Sequence, residues 1–204
     1  MTGVENCWSE FSGKIGNIML DHFGFLAPFY DRVIGPPDPA CLQELLQLPA
    51  AGRLLDAGGG TGRVSSQLRP FVDQLFITDL SGKMLLQAQD KGMCCPTVAH
   101  VEKLPYPDNS FERLLVVDAL HHFCDQREAI AELVRILKPG GRLVIEEPDL
   151  NRFTVKMVAV AEKVLLMRSH FYYPNEIRDM VVAHGLPAFV ETDGRFAAWV
   201  IADK

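Results

Sequence analysis

Short apolar segments alternate with amphipathic segments through most of this 204-residue chain, and the alternation limits the folds it can adopt. Segment 113–118 is apolar almost throughout, as expected for a parallel strand covered on both faces. The strand-like segments lie at 53–56, 74–79, 97–101, 113–118, 142–146, 188–192 and 195–202. Five strand–helix units followed by a hairpin predict a doubly wound α/β fold with a mostly parallel seven-stranded sheet. Asp193-Gly194 predicts a two-residue turn in the antiparallel C-terminal hairpin.

Capping residues indicate where the helices between these strands begin. Asp38 with Pro39 starts one helix, and Ser81 starts another. Asp125 and Glu128 form an Asp variant of the capping box ahead of an amphipathic segment. Further helices are predicted over 62–69 and 175–184.

Composition and charge exclude several kinds of protein. The net charge of −6 gives no basic surface for tracking phosphates, so we expect no nucleic-acid partner. The five cysteines show no metal-ligand spacing, which predicts no metal site and suits a reducing compartment. The N-terminus has no signal-peptide pattern and no apolar run reaches membrane-spanning length, so we expect a cytoplasmic protein without integral membrane association.

The chain divides into two parts on its turn residues. A Pro-rich turn over 35–39 separates an N-terminal helical arm or lid, residues 1–37, from the main domain, residues 38–204. The main domain carries a helical insert over about 151–168. Aromatic and methionine side chains in and after the insert weakly indicate an apolar or aromatic substrate: Phe153, Met157, His170, Phe171 and Tyr172. The sequence does not indicate an oligomeric state.

A glycine-rich loop, Asp56-Ala57-Gly58-Gly59-Gly60-Thr61-Gly62, follows the first strand. Glycines allow a tight turn and a close approach of backbone to a ligand. Their spacing does not match a dinucleotide fingerprint, because Arg63 stands at the sixth position counted from Gly58. A nicotinamide oxidoreductase is therefore disfavoured, and a phosphate loop is excluded because no Lys-Ser/Thr pair follows.

This loop resembles the first motif of class I S-adenosylmethionine-dependent methyltransferases. Asp79-Leu80-Ser81-Gly82-Lys83-Met84-Leu85, the segment 102–111 and the segment 137–141 resemble the next motifs, in the family's order. Together the motifs cover about 52–148 and are most similar to the small-molecule branch that includes ubiquinone and menaquinone biosynthesis methyltransferases. The resemblance implies a Rossmann-like fold, S-adenosyl-L-methionine as cofactor and S-adenosyl-L-homocysteine as product.

The resemblance also assigns residues to the cofactor. Asp79 would bind the ribose hydroxyls, since a carboxylate can accept from both. His100 and Val101 stand where many relatives carry Asp-Ala at the adenine, so either the His100 ring or the Val101 backbone would bind adenine. The expected cofactor-binding residues are Tyr30, Asp56, Gly58, Gly59, Gly60, Gly62, Asp79, Leu80, Met84, His100, Val101, Glu102, Asp118 and Ala119.

His121 and His122 follow the fourth strand, beside the expected position of the transferred methyl group. A hydroxyl or acidic carbon acceptor is helped by a general base, so both histidines are candidate catalytic residues. The alternative is that one packs under the loop or caps the helix that begins at Asp125, while the other is exposed. We expect methyl transfer to oxygen or carbon of a small molecule; the competing hypothesis is a catalytically inactive methyltransferase-like scaffold that binds the cofactor.

Overall fold

A mostly parallel seven-stranded sheet forms the centre of the computed structural model, which describes residues 38–92, 95–157 and 169–204. The strand order is β3-β2-β1-β4-β5-β7-β6, in which β7 pairs antiparallel with both β5 and β6. The strands are β1 Ala50–Ala57, β2 Val72–Asp79, β3 Cys95–Val98, β4 Phe111–Val117, β5 Leu137–Pro148, β6 Ala188–Thr192 and β7 Ala197–Asp203. The predicted doubly wound fold with a C-terminal antiparallel hairpin is confirmed.

Helices cover both faces of the sheet. They are α1 Pro39–Leu45, α2 Ser65–Leu68, α3 Gly82–Asp90, α4 Gln126–Ile136 and α5 Pro174–Ala183. One apolar core packs α4 and α5 against the sheet, with Leu114, Ile130 and Val181 fully buried. A second core packs α1, α2 and α3 against the other face, around residues such as Leu42 and Leu115. None of the described helices is long and apolar enough to cross a membrane.

Several predicted elements differ from the structure in their bounds, and β5, expected over 142–146, extends over Leu137–Pro148. The helix predicted over 62–69 is confined to α2, because Gly62 adopts a left-handed φ of +68° that a right-handed helix cannot include. The strand predicted over 97–101 is β3, and a short 3₁₀ turn occupies Val101–Lys103. The loop between β6 and β7 has four residues instead of two, because Asp193 Oδ1 accepts from the backbone N–H groups of Arg195, Phe196 and Ala197. Of the predicted insert, residues 153–157 are helical and 158–168 lie outside the described residues.

The cap of α4 joins this helix to the predicted adenine motif. Asp125 Oδ1 accepts from Arg127 N and Glu128 N, both at 3.0 Å, which confirms the N-cap. The prediction that the Glu128 side chain accepts from Asp125 N is wrong. Asp125 N donates instead to Glu102 Oε1 at 3.1 Å, so the buried Glu102 side chain takes the role that a local capping box would assign to Glu128.

Asp125→Ala is expected to lower the free energy of unfolding by about 1 kcal/mol, because two N–H groups at the start of α4 lose their acceptor. Urea unfolding measures the change. Asp125→Asn is the matched control, since its amide oxygen can still cap the helix and should recover most of the loss. Equal stability of the alanine variant and the wild type would contradict the assigned cap.

Candidate functional site

The glycine loop folds back over the carboxyl end of β2. Gly58 N and Gly59 N both donate to Thr78 O, at 2.7 and 3.2 Å. Gly58, Gly60 and Gly62 have positive φ angles of 77°, 54° and 68°, a conformation that glycine adopts without a steric penalty. The loop therefore depends on the alternating glycines that identified it in the sequence.

Glycine at position 58 also allows β1 to approach the loop after β4. A Cβ atom there would lie 2.8 Å from the Ala119 Cβ and 3.1 Å from the Phe123 ring. A Cβ at Gly59 would meet the Asp56 carboxylate and lie 2.8 Å from Ile77 Cγ1. Packing thus requires both glycines, and the positive φ of Gly58 requires glycine there as well.

Asp79 ends β2 and joins the glycine loop to α3. Its Oδ2 accepts from Gly60 N at 3.0 Å, and its Oδ1 accepts from Ser81 N at 2.7 Å. Burial raises the pKa of this carboxyl, and the backbone donors of Ser81, Gly60 and Leu80 oppose that shift. A carboxylate offers about four acceptor sites, enough for these donors and for hydroxyl groups of a ligand.

Asp56 lies beneath the loop, with 2 % of its surface exposed. Burial raises the pKa of its carboxyl to about 7; a hydrogen bond with Ser65 opposes the shift and the nearby Asp79 adds to it. Its contacts to Ser65 and Gly59 show that it supports the loop from below. Direct contact of Asp56 with the cofactor stays a prediction.

The other predicted cofactor-binding residues lie around the ends of β2 and β3. Leu80 is 53 % exposed, and Met84 lies beside the loop, its Sδ 3.4 Å from where a Cβ at Gly60 would be. His100 Nδ1 lies 3.6 Å from Glu102 Oε2, and Val101 is buried. The ring of His100 thus faces Glu102 with Nδ1, while its role toward adenine stays a prediction.

The loop after β4 is held by a residue that the sequence reasoning did not identify. Glu147, on β5, accepts from Ala119 N at 3.0 Å and Leu120 N at 2.8 Å through Oε1. Asp118 N donates to Glu146 O at 2.9 Å, and Asp118 has a φ of +53°. In the sequence, the adjacent Glu146 and Glu147 at the end of an apolar strand are the only signal that could have identified Glu147. The pairing of β4 with β5 is needed to show what it contacts.

The two candidate histidines lie together beside residues 169–171. His121 is 2 % exposed, its Nδ1 lies 2.6 Å from Glu147 Oε2, and its ring stacks on Phe171 with centroids 4.2 Å apart. The His122 ring is 3.9 Å from that of His121, and its Nδ1 is 3.3 Å from Ser169 Oγ. Burial, with the neighbouring His121 adding to it, lowers the pKa of His122 to about 3. His122 is therefore neutral near neutral pH.

Glu146 points to the opposite face of the sheet from Glu147 and accepts from Trp199 Nε1 at 2.6 Å. Burial raises the pKa of its carboxyl to about 7; the Trp199 bond opposes the shift, and Asp118 and Glu147 add to it. When folding raises the pKa of a carboxyl, the protein is most stable at pH values below the pKa of that carboxyl in the unfolded chain. That stability is lost as the pH rises from about 4.5 through about 7.

Glu146→Gln is expected to reduce the pH dependence of stability, because the amide keeps an acceptor for Trp199 and cannot ionise. Between pH values of about 4.5 and 7, the wild type should lose on the order of 2 kcal/mol more than the variant. Urea unfolding across this range measures both slopes. Asp56, whose pKa is raised in the same sense, remains in both proteins and cancels in the difference. Parallel slopes would count against an ionisation of Glu146 that opposes folding.

The remaining predicted site residues are placed as follows. Gly62 is buried and its N donates to Gly59 O at 2.9 Å. Phe153 and Met157, on the insert, are 77 % and 55 % exposed. Tyr30 and the whole arm over 1–37 lie outside the described residues. The structure thus brings the glycine loop, Asp79 and the loop after β4 to one edge of the sheet, at the carboxyl ends of the parallel strands.

The segment that carries this site is similar to a known protein family. Residues 55–145 match the family model described as a methyltransferase domain. The segment is therefore similar to methyltransferase domains. Its bounds enclose the glycine loop, Asp79 and both candidate histidines, and the family's cofactor is S-adenosyl-L-methionine.

Curated relatives are similar to part of this chain. The ubiquinone/menaquinone biosynthesis C-methyltransferase UbiE of Saccharophagus degradans is 34 % identical over 130 residues, which are 59 % of this chain and 50 % of that protein. The enzyme of the same name from Pseudomonas paraeruginosa is 34 % identical over 114 residues, 51 % of this chain and 44 % of that protein. The aligned part spans about half the length of these relatives.

Solved structures share the fold of most of this chain. A protein of Thermotoga maritima described as a possible histamine N-methyltransferase superposes with a TM-score of 0.72 at 22 % identity, covering 91 % of this chain and 100 % of that one. The YcgJ protein of Bacillus subtilis gives a TM-score of 0.70 at 19 % identity, covering 81 % of this chain and 97 % of that one. The Rossmann-like fold predicted from the motifs is confirmed.

Proposed function

We propose that this chain binds S-adenosyl-L-methionine at the glycine loop and transfers the methyl group to oxygen or carbon of a small-molecule acceptor. The observation that carries the proposal is the contact between the loop and the ribose acid, Gly60 N to Asp79 Oδ2 at 3.0 Å. It places backbone without side chains beside a carboxylate at the end of β2, where ligands of doubly wound sheets bind.

The residues present fit this cofactor. The Asp79 carboxylate can accept from two ribose hydroxyls. Gly60 has no side chain, and a Cβ there would lie at ordinary contact distances of 3.4 Å from Met84 Sδ and 3.9 Å from Asp79 Oδ2. Leu80 and Val98, 53 % and 62 % exposed, leave apolar surface at the ends of β2 and β3 for a flat ring. When bound, S-adenosyl-L-methionine supplies a methyl group already activated by a positively charged sulfur.

The chain's own contribution to methyl transfer is then alignment and the handling of one proton. The loop after β4 is held by Glu147, so its backbone is fixed where the acceptor would approach. A hydroxyl or acidic carbon must lose a proton as it is methylated, and the histidines of that loop are the groups of suitable basicity. The similarity to C-methyltransferases of quinone biosynthesis supports carbon of an electron-rich aromatic ring as the first acceptor to examine.

Calorimetric titration of the purified chain with S-adenosyl-L-methionine, S-adenosyl-L-homocysteine and NAD tests the cofactor assignment. We expect binding of both sulfur ligands in the micromolar range and none of NAD. Folded protein that binds neither sulfur ligand would refute the proposal. Binding of the cofactor without methyl transfer to any phenol, quinol or acidic-carbon compound in an acceptor panel would favour the inactive scaffold instead.

A further inference from the structure

Glu147 makes three hydrogen bonds from a nearly fully buried position, with 5 % of its surface exposed. Oε1 accepts from Ala119 N and Leu120 N, and Oε2 lies 2.6 Å from His121 Nδ1. One carboxylate therefore holds both the backbone of the loop after β4 and the imidazole on that loop. The register of β4 with β5, in which Val117 pairs with Glu146, delivers Glu147 to this point.

The arrangement determines which nitrogen of His121 carries the proton. An ionised carboxylate is an acceptor on both oxygens, so Nδ1 must donate to Glu147 Oε2. In a neutral imidazole the other nitrogen is then the acceptor. The ring cannot readily turn away from this tautomer, because it is packed between Phe171, stacked 14° from parallel, and the His122 ring.

We infer that Glu147 is a positioning residue that keeps the proton of His121 on Nδ1 and thereby makes Nε2 the atom that accepts a proton from the methyl acceptor. The inference rests on the proposed function and deepens it, because it specifies acceptors that lose a proton on methylation, namely a hydroxyl or an acidic carbon. It also selects between the two histidines, since His122, with a pKa near 3, holds a proton poorly at neutral pH.

The step balances with the groups named. The acceptor's electron pair forms the new bond to the methyl carbon while the carbon–sulfur bond breaks, and the sulfur keeps that bonding pair and loses its positive charge. The acceptor's proton passes to His121 Nε2, so that His121 becomes an imidazolium cation. Glu147, 2.6 Å from Nδ1, stabilises that cation in a site from which water is largely excluded.

Histidine tautomers can be measured without any substrate. Two-bond and three-bond ¹H–¹⁵N correlation spectra of ¹⁵N-labelled protein at mildly alkaline pH report which ring nitrogen is protonated, and loss of one signal set in His121→Asn assigns His121. We expect the wild type to carry the proton on Nδ1 alone. In Glu147→Gln the amide oxygen can still accept from the loop backbone, but its N–H must donate to Nδ1, so the proton should move to Nε2.

Two matched variants complete the design. Glu147→Asp keeps a carboxylate and should keep the proton on Nδ1, and Glu146→Gln removes the neighbouring buried carboxyl and should leave the tautomer of His121 unchanged. A wild-type proton on Nε2, or protons on both nitrogens, would overturn the inference. So would an unchanged tautomer in folded Glu147→Gln; if that variant does not fold, the spectra of the wild type and of Glu147→Asp still decide.

Failure of the proposed function would be distinguishable from failure of this inference. The tautomer is read from the chain alone, whereas cofactor binding is read from titration of the wild type with S-adenosyl-L-methionine. With an acceptor in hand, Glu147→Gln should lower kcat by about 10²- to 10⁴-fold with a smaller change in KM. Glu147→Asp should recover part of that loss, which a purely structural role of Glu147 does not predict.

Discussion

Asp79→Ala is expected to weaken binding of S-adenosyl-L-methionine by about 100-fold or more. Each hydrogen bond from a ribose hydroxyl to a charged acceptor contributes roughly 1.5–3 kcal/mol, and two are lost. The variant also removes the acceptor that Gly60 N and Ser81 N share, so the glycine loop loses its link to α3. Calorimetric titration measures the change in Kd directly.

Asp73→Ala is the matched control for that measurement. Asp73 lies near the opposite end of the same strand, where it accepts from Gly52 N, and it should bind the cofactor like the wild type. Asp79→Asn should give intermediate affinity, because the amide retains one acceptor oxygen. Wild-type affinity in Asp79→Ala would show that the ribose does not bind at the end of β2.

Glu147→Ala is expected to lower the free energy of unfolding by about 3–5 kcal/mol, because each buried N–H donor left without an acceptor costs roughly 1–3 kcal/mol. Ala119 N, Leu120 N and His121 Nδ1 would all lose their acceptor in a site from which water is largely excluded. Urea unfolding at constant pH measures the loss.

Glu44→Ala serves as the comparison for a glutamate of the same size without such partners. Glu44 is exposed on α1, so its replacement should change stability by less than about 0.5 kcal/mol. Similar small changes in both variants would mean that the loop after β4 rearranges and finds other acceptors.

The sequence predicted the fold because its local signals agreed with one another. Alternating strands and helices, the caps at Asp38, Ser81 and Asp125, and the glycine loop all specify neighbouring parts of one sheet. The errors occur where a residue's conformation or partner is set by distant contacts. Gly62 breaks the predicted helix through its positive φ, an angle that a glycine does not reveal in advance.

Glu102 and Glu147 show the limit most clearly for the candidate site. Both are buried carboxylates whose hydrogen-bond donors lie more than 20 residues away along the chain, so no periodicity or cap pattern could reveal their partners. The residues matched by motif, by contrast, lie in consecutive segments, which the structure brings to one edge of the sheet. Sequence reasoning therefore identified the segments at that edge but not the side chains that hold them from beneath.

The close approach of Gly58 to Ala119 has a consequence for anyone who diversifies this domain. A Cβ at position 58 would lie 2.8 Å from the Ala119 Cβ, so the two positions share one small volume. Libraries that randomise the glycine loop one position at a time are expected to recover only glycine at 58, because any other residue places a Cβ against Ala119 at a φ of 77°. A side chain at 58 needs at least a glycine at 119, so libraries that vary the two positions together are the means to find such a pair.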